Sequence, residues 1–473
     1  MDERYAIIAA FGETTATGGR AMNRHFLSTY FGFAERRTDL RTEIGAGITT
    51  FTTLAYIIFV QPAVLSGKMF GFDSGLDFGA VMTATCLSGA LATLLMGVLA
   101  NYPIAQAPGM GENFFFVLTV VAEAGTLAAV RAGETTAWQV ALGVVFISGV
   151  IFLILSLCRV RRVVIEAVSP SLRNGIAVGI GIFIAFIGLQ NAKIVVADPG
   201  TLIGLNPRLH SLQMLVFGFV FLVTLALMTR RVRGAILWGI LSGLALSLIL
   251  GRTRFSGAVV APPPSLSPTF LKFDLVHALS PHMWSFIVIF LFMDVFDTLG
   301  TLIGVSEQAG FIKDNRLPRA DRALVSDAVG TVVGAAMGTS TVTSFIESIT
   351  GVAYGGRTGF TSVVTAGCFL AALFFSPVVG MVTQDHALTA PALIVVGAMM
   401  IRNVRKVQWD DLTEGLPAFL VMVGIPLCYS IADGIAWGFV SYPAIKLLAG
   451  RGREVHWPLY PVAGLFLAKY LIF

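Results

Sequence analysis

Apolar runs recur along the chain, most of them near the length of about twenty residues that one helix needs to cross a bilayer. The first set lies near 43–63, 78–100, 102–122, 136–157, 172–190, 211–229 and 233–251. After a polar, proline-rich break at 252–283, a second set follows near 284–306, 323–341, 343–355, 358–378, 387–402, 415–431 and 434–448. One more apolar stretch, 457–472, lies at the end and reads as an additional helix or hairpin. With 56% hydrophobic and only 12% charged residues, a water-soluble core of this size would lack polar side chains to cover it. Fifty glycines suit close helix–helix approach in lipid. The reading is an all-α polytopic membrane protein.

The basic residues test the count. With a cytoplasmic N-terminus, twenty fall on cytoplasmic segments: Arg36, Arg37, Arg41; Arg159, Arg161, Arg162, Arg173; Arg230, Arg231, Arg233; Lys313, Arg316, Arg319, Arg322; Arg357; Arg402, Arg405, Lys406; Arg451 and Arg453. Seven fall outside: Lys68, Arg131, Lys193, Arg208, Arg252, Arg254 and Lys272. Arg4, Arg20, Arg24 and the in-run Lys446 and Lys469 are left aside. The asymmetry is the one the positive-inside rule requires, so the net charge of +5 reflects loop placement and not nucleic-acid binding. Fourteen spans divide into seven plus seven, and an odd number per half inverts the second half relative to the first. Inverted repeats of this kind are a transporter plan with the substrate site near the midplane. Ile48–Tyr56 in the first span echoes Phe296–Gly304 in the eighth, at an offset of about 240 residues that also relates spans 3 and 10.

Spans 3 and 10 do not read as continuous helices. In Tyr102–Phe116, Pro103 and Pro108 lack backbone donors, and Gly109 and Gly111 weaken a helix. In Gly338–Gly351 a β-branched, hydroxyl-rich start precedes a short helical piece. Each is expected to carry a short extended stretch leading into a half-helix, the two stretches pairing with each other. Irregular backbone at membrane depth survives only where protein buries it or it lines a cavity, so two breaks at repeat-related places point to a binding site. The plainer alternative is a pair of packing kinks.

Ionisable residues gather at the same places. Asp294 and Asp297 lie in the eighth run, three apart on one helix face. Glu347 follows the second break, and Glu112 and Asn113 follow the first. No basic residue within these runs neutralises them, so they are protonated or they bind donors and cations. Asp294 is expected to point to a ligand and Asp297 to a hydroxyl or backbone network, or simply to bond Thr298 or Thr301. Asn113 is open to a capping role, Glu347 to a structural one, and Phe114 to packing instead of a planar ligand. Asp410 and Asp411 read as solvated loop acids. Cys86, Cys158, Cys368 and Cys428 read as packed thiols without pairing, and the six histidines show no metal-ligand spacing, so no metal or other cofactor is expected. The first 40 residues lack a signal-peptide pattern, and 22–40 reads as an interfacial helix or a disordered lead-in.

Four motifs, in order, carry a family resemblance: Thr49–Ile58, Ala107–Asn113, Asp294–Leu302 and Phe345–Gly359. From about residue 36 onward the chain resembles the hypoxanthine/guanine/adenine permeases, the azaguanine-transporter-like branch of the nucleobase–cation symporters. The resemblance implies a core domain of spans 1–4 and 8–11 (41–157 and 284–378) and a gate domain of spans 5–7 and 12–14 (158–251 and 379–448). The lead-in 1–40, a periplasmic connection 252–283 and the C-terminal segment 449–473 complete the chain. It also implies a homodimer through the gate, placement in the inner membrane, and roles in substrate recognition or coupling for Asn113, Asp294 and Glu347, with Asp297 the motif's second acid. Many relatives carry an apolar residue where this chain has Glu112, which would alter substrate choice or proton stoichiometry or face away into a polar crevice.

The expected mechanism is proton-coupled purine uptake by alternating access. A proton loads Glu347 or Asp294, with Asp297 and Glu112 as further coupling acids, and a purine docks between the two broken spans. Carboxylates accept its N–H groups, Asn113 reads a ring nitrogen or carbonyl, and Phe114 or Phe345 stacks on it. Xanthine or uracil, or an anion such as sulfate or bicarbonate on the same plan, are the alternatives, and acids at the site argue against anions. A channel gains nothing from carboxylates in two repeat-related elements, and no nucleophile–base set supports an enzyme.

Overall fold

The computed structural model describes residues 27–158, 168–311 and 317–472. Residues 1–26 of the lead-in, and with them Arg4, Arg20 and Arg24, lie outside the described residues, as do Arg159, Arg161, Arg162, Lys313 and Arg316.

Helices dominate because apolar side chains fill nearly every long segment. In chain order they and the short strands are α1 (Leu40–Leu54), α2 (Ile57–Leu65), α3 (Phe78–Leu95), β1 (Gln106–Pro108), α4 (Met110–Phe115), α5 (Ala137–Leu157), α6 (Pro170–Asn191), β2 (Val195–Asp198), β3 (Leu202–Leu205), α7 (Leu212–Thr229) and α8 (Ala235–Ile249). The second part runs α9 (Trp284–Ala309), α10 (Ala320–Met337), β4 (Val342–Ser344), α11 (Ser348–Tyr354), α12 (Gly359–Ala372), α13 (Ala390–Met400), α14 (Leu412–Leu427), α15 (Ile431–Leu448) and α16 (Leu459–Ile472). Among the described residues, eight helical stretches are long and apolar enough to cross a membrane, and shorter apolar helices lie at Ala235–Ile249, Leu412–Leu427 and Leu459–Ala468. The chain is a multi-pass membrane protein.

Two packing groups stand out. In one, α1 lies on α11 and α12, α3 on α10 and α12, and α5 on α9 and α10. In the other, α6 lies on α13 and α14, α14 on α15, and α7 on α8. Glycine sets the closest approaches. A Cβ on Gly359 of α12 would run into the backbone oxygen of Gly97, which follows α3, and Gly181 of α6 meets Gly397 of α13 in the same way. Glu43 of α1 is fully buried and accepts the backbone N–H groups of Arg357 (2.9 Å) and Thr361 (3.1 Å), tying α1 to the start of α12.

β1 and β4 pair antiparallel, with Gln106 opposite Ser344, Ala107 opposite Thr343 and Pro108 opposite Val342. Gly109 N–H to Thr341 O (3.0 Å) and Phe345 N–H to Ala105 O (2.9 Å) extend the ladder at either end. A hairpin not expected from the sequence, β2–β3, joins α6 to α7 across the Pro199–Gly200–Thr201 turn, so the fold is helical with two small ladders.

Four other features bear on the expectations. Residues 27–39 include a helical turn and pack down: Phe31 and Phe33 are buried against Phe360, with ring centroids 5.5 and 5.9 Å apart. The first span, Leu40–Leu65, holds as one stretch with a two-residue interruption of regular helix at Ala55–Tyr56, both still in the right-handed helical region. Of the cysteines, only Cys86 is buried; Cys158 and Cys428 are exposed because they end α5 and α14. Asp411 is not merely solvated. It caps α14 and accepts from Arg451 Nη1 (2.9 Å), while Lys446, buried despite its charge, contacts Glu414 (3.0 Å) and Glu454 (2.8 Å). Hydrogen bonds from Thr413 and then Arg451 hold Asp411 down at about 2, and Arg451 followed by Lys446 holds Glu454 at about 2.

Candidate functional site

The β1–β4 ladder sits where three helices can reach it, and hydroxyl groups fix it there. Gln106 N–H donates to Thr93 Oγ1 (2.8 Å) of α3, whose hydroxyl donates back to the Gln106 carbonyl (2.9 Å). Thr343 shares a hydrogen bond with Thr298 of α9 (2.8 Å), and Val342 N–H donates to Thr331 Oγ1 of α10 (3.1 Å). A strand only three residues long cannot stabilise itself, so these side-chain ties explain why Gln and Thr occupy positions that lipid-facing sequence would fill with Leu or Val.

Five carboxylic residues surround the ladder in two tiers. The inner tier is Asp294 of α9 and Asp327 of α10, both fully buried. Asp294 Oδ2 accepts from Thr331 (2.9 Å); Asp327 Oδ1 accepts from Gln106 Nε2 (2.6 Å) and Ser344 (3.3 Å). The two carboxyl groups face each other, and Asp294 Oδ1 and Asp327 Oδ2 have no other partner. The outer tier is Asp297, Glu347 and Glu112. Asp297 is exposed, with the Thr343 hydroxyl and Glu347 beside it. Glu347 is nearly buried at 7% exposure, and its Oε1 accepts the Tyr56 hydroxyl at 2.8 Å. Glu112 of α4 is buried, facing Asp297 and Asp294. No ion pair among the described residues involves any of these acids. No group of His, Cys, Asp or Glu among the described residues is arranged to hold a metal ion.

Both acids of the α9 pair meet hydroxyls: Asp294 Oδ2 accepts from Thr331 while its Oδ1 has no other partner, and Asp297, the more exposed of the two, lies beside Thr343. Residues three apart in a helix differ by about 60° around its axis, enough here to turn Asp294 toward α10 and Asp297 toward α11. Asn113 is not a cap, since Gly109 is the N-cap of α4. It is fully buried, accepting from Ser340 while its Nδ2 has no partner, and Gln61 Nε2 joins the same group by donating to Ser340 (3.4 Å) as well as to Thr339 (2.8 Å). Phe114 is likewise fully buried, its ring edge-on to Phe70 (5.9 Å) and to Phe183 of α6 (6.3 Å). Phe345 is buried between β4 and α11. Glu112 faces inward to the acids instead of away. A hollow of about 730 Å³ near Arg402 and Arg405 includes none of these residues.

Sequence reasoning passes over Tyr56, Gln106, Thr331 and Asp327. Asp327 is open to the same rule that singles out Asp294, an acid inside an apolar run. Gln106 and Tyr56 lie within or beside quoted motifs, but their partners are 221 and 291 residues away.

The site thus offers an uncompensated acidic cluster at a strand pair between helices, suited to hold a proton and to accept N–H donors from a neutral ligand. This is a transporter's architecture, and comparison with known proteins is consistent with it. The sequence pattern described as "Permease family" matches residues 41–436. The guanine/hypoxanthine permease PbuG of Bacillus subtilis is 44% identical over 94% of this chain and 99% of its own. The adenine permease AdeP of Escherichia coli is 40% identical over 96% and 97%. The putative permease MJ0326 of Methanocaldococcus jannaschii is 46% identical over 94% and 98%. Among solved structures, the transmembrane domain of the cyanobacterial bicarbonate transporter BicA superposes with a TM-score of 0.61 at 17% identity, covering 83% of this chain and 97% of that one. SLC26A9 superposes at 0.60 and 11% identity, covering 91% and 69%. At these identities the structural likeness speaks for the fold alone. The chain belongs to the permease family, and it is a transporter, not an enzyme.

Proposed function

We propose that this permease takes up purine nucleobases of the hypoxanthine, guanine and adenine class, coupled to protons, by alternating access across the inner membrane. The observation that carries the reading is the outer acidic tier, Asp297, Glu347 and Glu112, gathered at the strand pair with no cation among the described residues to neutralise it. An anion entering there would meet like charge, whereas a neutral heterocycle brings N–H donors for carboxylate oxygens and needs no counter-charge. The names of the relatives, guanine/hypoxanthine and adenine permeases, support the same class.

In this reading Glu347 takes the coupling proton and the purine docks against Asp297. Asp294, paired with Asp327, serves as an internal proton store, and Glu112 tunes Asp297. Asn113 and Phe114 shape the site from behind, and Phe345 offers a ring edge at its rim. No cofactor takes part beyond the proton. The fourteen-span, seven-plus-seven inverted plan belongs to the proposal, with spans 3 and 10 broken at β1–α4 and β4–α11. So do a core of 41–157 and 284–378 that moves against a gate of 158–251 and 379–448, a homodimer through the gate, and a cytoplasmic N-terminus. The separate packing of α6 with α13 and α14 supports the division.

The test is uptake of radiolabelled hypoxanthine in a bacterial strain lacking its own purine permeases, with and without a protonophore and with unlabelled nucleobases as competitors. Protonophore-sensitive uptake blocked by purines is expected. No uptake by protein shown to be in the membrane, with labelled sulfate or bicarbonate taken up instead, would overturn it.

A further inference from the structure

Tyr56 occupies the break between α1 and α2, and the sequence around it explains the break. The hydroxyls of Thr49, Thr52 and Thr53 each donate back to a carbonyl of the preceding turn, at 2.7, 3.0 and 2.8 Å. Such back-bonding loosens and bends a helix. The regular helix stops at Leu54 and resumes at Ile57. At this interruption the Tyr56 ring is almost completely buried, at 1% exposure, and its hydroxyl reaches across to Glu347 Oε1 at 2.8 Å. One turn earlier, Thr53 shares a hydrogen bond with Thr350 (3.1 Å), a second tie between α1 and α11 one turn beyond Glu347.

We infer that Tyr56 is a positioning residue for proton coupling: its hydroxyl occupies Glu347 Oε1, so the exchangeable proton loads on and leaves from Oε2 alone. The inference rests on the proposed role of Glu347 and assigns a partner that fixes which oxygen carries the proton and how tightly. A phenol can donate one hydrogen, and Oε1 remains an acceptor whether the acid is ionised or protonated. The donated bond is stronger to the ionised form, so it also sets the pH at which Glu347 exchanges its proton. The titratable groups facing Glu347 are Tyr56 from the α1–α2 junction and Asp297 from α9; Glu112 of α4 faces Asp297 in turn. At the far end of α11, Tyr354 carries Arg233 over its ring at 4.1 Å.

The experiment measures hypoxanthine uptake against pH for wild type and Tyr56→Phe at matched membrane levels. Losing the hydroxyl removes stabilisation of the ionised acid, so the alkaline limb of the profile is expected to move up by about one pH unit, with a smaller relative change in KM. The same comparison in a Glu347→Gln background, read as proton-independent counterflow exchange, is expected to show no such displacement. Placing 3-fluorotyrosine at position 56 keeps the ring and fold while making the hydroxyl a stronger donor, and is expected to move the limb down. A Tyr56→Phe or fluorotyrosine profile that overlays wild type would overturn the inference, as would a displacement that persists in the Glu347→Gln background. Absence of uptake by wild type would count against the nucleobase reading instead.

Discussion

Glu347 combines a phenolic hydrogen-bond donor, Tyr56, on one oxygen with a place beside the exposed Asp297. Glu347→Gln preserves shape and the Tyr56 contact but cannot release a proton. We expect this variant to lose protonophore-sensitive accumulation and to keep exchange of labelled for unlabelled substrate; uphill uptake at the wild-type level would sink the assignment. Single residues also mark where sequence reading succeeds and stops. That Asp294, Asp297, Glu112 and Glu347 gather at one place follows from the cost of intramembrane charge, and all four do surround the ladder. Which oxygen faces which partner does not follow, because a difference of about 60° between Asp294 and Asp297 depends on the rotation of α9 about its own axis. Asn113 shows the same limit. Its motif signals importance, but its burial against Ser340 is a matter of which way α4 faces.

Among the elements, α12 allows a test of how glycine works in this fold. Gly359 at its start lies against the Gly97 backbone, whereas at Gly367, two turns on, an added Cβ meets nothing within 4 Å. Gly359→Ala is expected to destabilise by roughly 1–3 kcal/mol through overpacking. Gly367→Ala is expected to be neutral or stabilising by up to about 1 kcal/mol, because alanine is the better helix former. Thermal unfolding of the purified protein in detergent reads both, and equal effects would show that the close approach is not what selects glycine at 359. The extended pieces are legible because Pro103, Pro108 and the hydroxyl run 339–344 exclude an easy helix. The β2–β3 hairpin is legible in principle, with β-branched residues around Asp198–Pro199–Gly200–Thr201. It escapes a hydropathy reading, which treats everything between two apolar runs as a connection. The interruption at Ala55–Tyr56 leaves no such trace, since threonine lowers helix propensity only slightly and its back-bonding depends on rotamer.

For the whole molecule, charge on the extramembrane surface gives a pH dependence with a definite sign. Asp411 and Glu454 are held at about 2, below their ordinary 3.8 and 4.5, by hydrogen bonds from Thr413, Arg451 and Lys446. A depressed acid contributes its full stabilisation above the unfolded value and loses it as pH falls toward the folded one, so this contribution fades from about pH 4.5 down to about pH 2. Arg451→Gln is expected to flatten the melting temperature against pH between about pH 5 and 3, while leaving the curve's shape near neutrality as in wild type; an unaltered acid limb would show that the network carries no linkage. The β1–β4 ladder has a further consequence, in time instead of space. Gln106 and Ser344 are 238 residues apart, and chains are synthesised at about 5–20 residues per second. A ribosome therefore works for roughly ten seconds or more after β1 is made before β4 exists to pair with it. During that interval the inserted N-terminal half holds an unpaired Gln106–Pro108 and a pocket that still lacks Asp294, Asp297 and Glu347. The acid cluster around the ladder is thus assembled only once the second half of the chain is in place.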